Sequence, residues 1–132
     1  MALKGCSASF SLGSNSVAEL NNISNPLTAD SLDVTTFDSA CLREFIAGLR
    51  SGTIDISGFY DPTDTTGQVA MMTAFLAGTV LTTTQKPKIL WSGTYGIEAD
   101  AIVTSYSVDA SVDGLVNFSA TLQLTGTITV LP

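Results

Sequence analysis

The chain has 132 residues, 12 acidic and 5 basic side chains and no histidine, for a net charge of −7. That length suits one domain able to remove roughly two-thirds of its unfolded surface from water, with no need of a disulfide or metal staple. The last lysine or arginine is Lys88, and beyond it only Glu98, Asp100, Asp109 and Asp113 are charged, so the clustered cations that grip phosphates are missing and specific nucleic-acid binding is not expected.

Charged residues make up 13% of the chain, about half the usual share, while 15 serines and 18 threonines supply a polar but uncharged surface. Cys6 and Cys41 have no metal-ligand spacing, and without histidine a zinc site lacks donors, so two free thiols are expected. The N-terminal MALKGCSASF lacks the apolar core of a signal peptide, and no apolar run approaches the ~18 residues of a membrane span.

In chain order, Ala8, Phe10 and Leu12 alternate with serines and predict a first strand, and VAEL from Val17 suggests a second. NNISNPLTAD, residues 21–30, is rich in Asn, Ser and Pro and reads as a long loop. In LREFIAGLRSGTIDISGFY, Ile54 and Ile56 flank Asp55 on one face of a strand over about residues 49–60. A helix is predicted over 66–77, with Thr65 as N-cap, Gln68 closing a capping box, Val69, Met72 and Leu76 on one face, and Gly78 at the C′ position. Asp61 and Asp64 before it lack the pattern of a calcium loop and fit turn and helix-dipole roles. TTTQKPK reads as a turn, ILWSG as a short strand and GIEADAIVTSYSVDA as a long one.

The last segment, LVNFSATLQLTGTITV (115–130), raises a question of length. Its even positions run Val116, Phe118, Ala120, Leu122, Leu124, Gly126, Ile128, Val130, and its odd positions from Asn117 to Thr129 are all polar. As one strand it would span roughly 54 Å, whereas a compact domain of this size is roughly 36 Å across. Either the strand overshoots its own globule or it breaks in two at Gly126, by a bend or a bulge. Against the preceding strand, a three-residue loop at 112–114 with Gly114 left-handed keeps apolar facing apolar. It pairs Val108 with Phe118, Tyr106 with Ala120 and Ile102 with Leu124, and on the other face Ser107 with Ser119, Ser105 with Thr121 and Val103 with Gln123.

Enzyme chemistry finds little here: no histidine base, no nucleophile elbow and no glycine-rich phosphate loop. No cofactor is expected. Trp91, Tyr95 and Tyr106 keep open an alternative, a carbohydrate-binding β-sandwich module; otherwise they pack the core.

The succession DVTTFDS, REFIAGLRSGTIDISGFYDPTD, a short helix opening with GQ, and a hairpin ending VDGLVNFSATLQLTGTITV resembles the major tail proteins, the tail tube subunits, of long-tailed bacteriophages. The likeness covers about residues 32–131, and TTF-D-S and F-S-A-T-L-x-L-T-G are its most specific phrases. It implies a mainly β fold, a β-sandwich or rolled β-barrel with one flanking helix. The chain ends at Pro132 directly after the last strand, so no C-terminal immunoglobulin-like decoration domain is expected. The resemblance further implies a virion tail protein, assembled in the host bacterial cytoplasm, forming hexameric rings that stack into a hollow conduit. Its partners would be tail tip or baseplate, tape-measure and tail terminator proteins, with DNA passing through unbound and no membrane involved. Contractile tails, contractile bacteriocins, gene-transfer agents and the type VI secretion tube share the implied subunit fold; the quoted phrases favour unsheathed tails.

Two sets of residues follow as expected sites. Ser105, Ser107, Ser119, Thr121, Gln123 and Thr125 would face the lumen or an intersubunit barrel, since each cation on such a wall would hold a phosphate and retard moving DNA. Asn25, Pro26 and Leu27, in a loop over 21–36, would reach the next ring together with Phe37.

Overall fold

The computed structural model describes residues 2–131. Nine strands form one antiparallel sheet: β1 (Ser9–Leu12), β2 (Asn15–Ser16), β3 (Leu20–Ser24), β4 (Leu27–Asp33), β5 (Phe45–Phe59), β6 (Val80–Leu81), β7 (Pro87–Leu90), β8 (Gly96–Asp109) and β9 (Asn117–Leu131), with one helix, α1 (Gln68–Ala77). The strand order is β2-β1-β7-β8-β9-β5-β3, with β4 added to β5 and β6 to β8. The sheet curls until β1 and β3, from opposite ends of the order, approach each other. Phe10, Leu12, Ile54, Ile56, Met71, Leu81, Ile89, Val103, Phe118 and Leu122 fill the inside of the curl, and α1 packs there against β8.

Residues 21–30 are not a long loop. Asn22–Ser24 and Leu27–Asp33 pair with β5, leaving Asn25 and Pro26 as the only break between β3 and β4. Loop composition misleads here because β4 is exposed along its whole length and shows no apolar alternation. The real loop lies further on, over 34–44, and carries the short 3-10 turn Phe37–Ser39. Val17 to Glu19 likewise form a connection, with Glu19 left-handed at φ 62°, and the second strand is the two residues before them.

The helix stops at Gly78 as expected, with φ 69°, but its start and inner face differ. Gln68 does not cap Thr65. It is fully buried, and its amide donates to the Ala18 and Phe59 carbonyls (2.8 and 3.0 Å) while its Oε1 accepts from the Asp61 N–H (2.8 Å). Capping falls to Asp64, whose carboxylate accepts from the N–H groups of Gln68 and Ala18. The buried face is therefore Gln68, Met71 and Ala74, and Leu76 points to solvent. A polar side chain is tolerated inside because its Oε1 and Nε2 both have hydrogen-bond partners. Thr63 donates to Asp61 from its hydroxyl and its N–H, holding that exposed carboxyl below the usual range.

The β8–β9 hairpin keeps the expected register near its turn, with Val108 opposite Phe118, Tyr106 opposite Ala120, Ser107 opposite Ser119 and Ser105 opposite Thr121. The turn is longer than three residues, running over 110–116, and Gly114 is not left-handed. Between Val103 and Ser105 the register slips by one, so Ile102 faces Gln123 and Val103 faces Leu122, not the expected Leu124 and Gln123. The bulge at Thr104 turns Val103 into the core at 4% exposure and Ile102 outward at 38%.

β9 is one strand of 15 residues, roughly 50 Å long. Gly126, at φ 76°, sits in a second irregularity where Asp100 opposes Thr125 but Glu98 opposes Thr129, so the glycine bends the strand without ending it. Burial resolves the length question: β9 contributes buried side chains only between Phe118 and Leu124, β5 only from Gly52 to Gly58, and β8 only from Gly96 to Val103. Each long strand buries side chains in the core over half its length; beyond that, Tyr106 of β8 and Ile128 of β9 still pack against the core and the rest overhangs.

Candidate assembly surfaces

Across β8, β9, β5 and β3, side chains opposite the core line up in rows. One row is Ser107, Ser119, Ser57, Asn22; the next is Ser105, Thr121, Asp55, Ser24. Five of the six expected lumen residues thus share one face with residues of two further strands: Ser105, Ser107 and Ser119 exposed, Thr121 and Gln123 half-buried. Thr125 extends the same face and lies opposite Asp100. Thr121 donates its hydroxyl to Asp55 (2.9 Å), and Gln123 donates to the Gly52 carbonyl (2.9 Å) at the point where β5 parts from β9.

The face is less uniform than alternation implied. Because of the Thr104 bulge it also carries Ile102, and towards the other end come Asp100 and Glu98. Lys86 and Lys88 lie there too, each beside an acid, at 3.8 Å from Asp100 and 4.0 Å from Glu98. Half-exposed pairs of this kind add little stability, but they leave no unbalanced positive charge on the wall. Asp55 and the β3 residues were out of reach of sequence reasoning, since only nonlocal pairing brings them to this face.

The second surface is the overhang of β5 with β4, an arm whose apolar side chains stand in solvent: Leu32, Phe45 and Ile46 are about half exposed and Leu49 is 84% exposed. At its end Phe37 is fully exposed, Leu42 is 71% exposed, and Ala40 and Cys41 are both left-handed. The expected inter-ring residues divide: Phe37 is at this tip, whereas Asn25 and Pro26 form the β3–β4 break and Leu27 opens β4 over Gly52 at the arm's root. Asn25 donates to the Thr53 carbonyl (2.7 Å). The signal for the arm was present in FIAGL at 45–49, apolar on both faces of a strand, beside TIDISG, which alternates.

Two clefts accompany these surfaces. One, about 730 Å³, separates β1 from β3 and is lined by Phe10, Val17, Leu20, Ile23 and Trp91; the other, about 660 Å³, lies between the arm's root and Gly126–Ile128. The aromatics of the carbohydrate reading do not converge. Trp91 lines the first cleft, Tyr95 lies in the following turn, and Tyr106 stacks on Phe118 (5.9 Å) and donates to the Gln68 carbonyl (3.2 Å). Both cysteines are free and exposed, and among the described residues no cluster of acids and thiols could hold a metal.

Residues 14–130 match the phage tail tube protein family. The chain belongs to that family. This tail tube subunit also has the fold of solved tail structures: the tail of an empty gene transfer agent particle refined with C6 helical symmetry (TM-score 0.84, 21% identity, 98% of each chain), the virion of the native gene transfer agent (0.83, 19%, 98% of each chain) and the SPP1 tail tube (0.77, 15%, 98% of this chain and 79% of that one). No curated protein matches the sequence significantly. The expected fold, mainly β with one flanking helix, and the expected family both hold for this tube subunit.

Proposed function

We propose that the tube subunit polymerises as stacked hexameric rings into a hollow conduit whose bore is lined by the hydroxyl face. The observation that carries this reading is the pair of rows running unbroken across four strands, polar throughout and without an unpaired cation. DNA sliding past such a wall releases no counterions to it and meets no phosphate contact. The role is structural and not enzymatic; its partners are copies of itself, the tail tip, tape-measure and terminator proteins, and its place is the tail of a virion assembled in the host cytoplasm.

Phe37 and Leu42 at the arm tip are the contact to the next ring in this reading, each offering apolar surface worth about 25 cal/mol per Å² once covered. Two substitutions test the assignments. Thr121→Lys with Thr125→Lys loses the Thr121–Asp55 hydrogen bond but should permit tubes and make them retain DNA in a salt-dependent way; unaltered DNA delivery would mean this face is outer surface. Phe37→Asp should allow rings and stop their stacking, and tubes of normal length would remove the tip from the contact.

A further inference from the structure

The layer of long strands, β8, β9 and β5, ends differently at its two ends. At the Phe59 end of β5 it closes in the β8–β9 turn over 110–116, tied to the body where the Tyr60 N–H donates to the Val116 carbonyl (2.8 Å). At the Phe45 end it splits. β9 leaves β5 after Gln123 and runs on to Leu131 beside β8 alone, while β5 from Gly52 back to Phe45 keeps company with β4. The cleft of about 660 Å³ is the notch between these overhangs, walled by Leu27, Leu49 and Arg50 on one side and Gly126, Thr127 and Ile128 on the other.

Turn and notch complement each other in apolar surface and in charge. Val112 is wholly exposed on the turn and Leu115 largely so, and the notch presents Leu27 and Leu49, both exposed. Asp109 and Asp113 accompany the turn, and no lysine or arginine follows Lys88 in the chain to balance them. Arg50 stands exposed in the notch and is in no ion pair among the described residues, whereas Lys86 and Lys88 lie beside Asp100 and Glu98.

We propose that the notch of one copy is the socket for the β8–β9 turn of a second copy in the next ring, with Val112 and Leu115 seated against Leu27 and Leu49 and with Asp113 paired to Arg50. The inference rests on the tube reading and names a socket for its stacking contact. The copy's own turn is out of reach, since Asn117 and Thr127 are ten residues, roughly 34 Å, apart along β9. Nor does the arm tip compete for the socket. Phe37 lies at the notch end of each copy, so in a stack of one polarity it meets the turn end of its neighbour. Because turn and notch are different surfaces at opposite ends of one molecule, their contact is head-to-tail. Displacing each copy along the strands, it propagates as a filament and does not close. The apolar side chains supply contact area, and the charge pair fixes which ends meet.

Charge exchange tests the pairing in the whole chain. Both side chains are exposed, so neither Arg50→Asp nor Asp113→Arg should lower the melting temperature of the free subunit. Each alone should raise the concentration at which tubes appear by about tenfold or more, because every copy in a ring repeats the contact. The chain carrying both changes should assemble near the wild-type concentration. Single variants that assemble like wild type, or a double variant no better than the singles, overturn the pairing. Cross-linking gives a second readout. In a Cys6→Ser, Cys41→Ser background, Val112→Cys and Thr127→Cys joined by a short bismaleimide in assembled tubes should give a covalent ladder that runs past the hexamer, since the contact links rings and not the members of one ring. Tubes visible by electron microscopy that yield only monomer, or a ladder stopping at the hexamer, overturn the socket and leave the tube reading standing, whereas wild-type protein that never assembles overturns both.

Discussion

Along β5, residues 52–58 place Ile54 and Ile56 in the core, while residues 45–51 of the same strand place Phe45, Ile46 and Leu49 in water. Among the described residues the first half is paired on both edges, with β3 and β9, and the second on one edge only, with β4. The second half therefore lacks both a partner strand on one edge and anything from this chain to cover its side chains. A family member that assembles has a reason to leave such surface bare, and a less complete division recurs in β8 and β9, where Tyr106 and Ile128 still pack against the core. In the proposed tube, folding energy would be concentrated in one half of each strand and association energy in the other.

The sharpest way to break that division is to truncate one residue from each half. Phe118→Ala, at a core position 2% exposed, should destabilise the free subunit by about 3–5 kcal/mol in denaturant titration. Leu49→Ala should change subunit stability by less than about 0.5 kcal/mol and raise the protein concentration needed for tubes. If Leu49→Ala unfolds the subunit, the arm belongs to the fold and the division fails. Next in size, Gln68→Leu leaves the Ala18 and Phe59 carbonyls and the Asp61 N–H without their partner and should cost about 2–3 kcal/mol in the same titration.

Gly126→Ala acts on the overhanging half of β9. A Cβ there meets nothing within 4 Å, so only the left-handed backbone resists it, at about 1–2 kcal/mol. If the overhang is independent of the core, that cost should appear as faster exchange over 125–131 and not as a lower global melting point. The smallest effect concerns Tyr106, whose hydroxyl burial pushes its pKa up to about 12 from 10.0. Because the folded state holds the proton more tightly, its stabilising effect is complete below pH 10 and is lost as pH rises towards 12. Tyr106→Phe should flatten the fall in melting temperature across that window.

Legibility from sequence followed the same boundary. Near the β8–β9 turn, Val108, Tyr106, Phe118 and Ala120 fixed the register because a slip would have put apolar against polar. At Ile102-Val103 two adjacent apolar residues satisfy either register, so the Thr104 bulge left no trace in the pattern. Residues 27–33 passed for loop because period-two alternation records one buried face, and β4 buries neither. The helix start was misread at Gln68, where a buried amide took an apolar position through contacts to Ala18 and Phe59, distant in sequence. Of the polar wall, the β8 and β9 residues were legible from alternation; Asp55, Ser57 and Asn22 joined it only through nonlocal pairing.

The central claim is that the overhanging halves are interfaces and the hydroxyl face is the bore. Cryo-electron microscopy of the purified protein, assembled by raising its concentration, tests it most directly. The account predicts six-fold tubes with Ser105, Ser119 and Thr121 lining the channel and with the arm buried between copies. Tubes with those residues on the outer wall, or with the arm still in solvent, would contradict it.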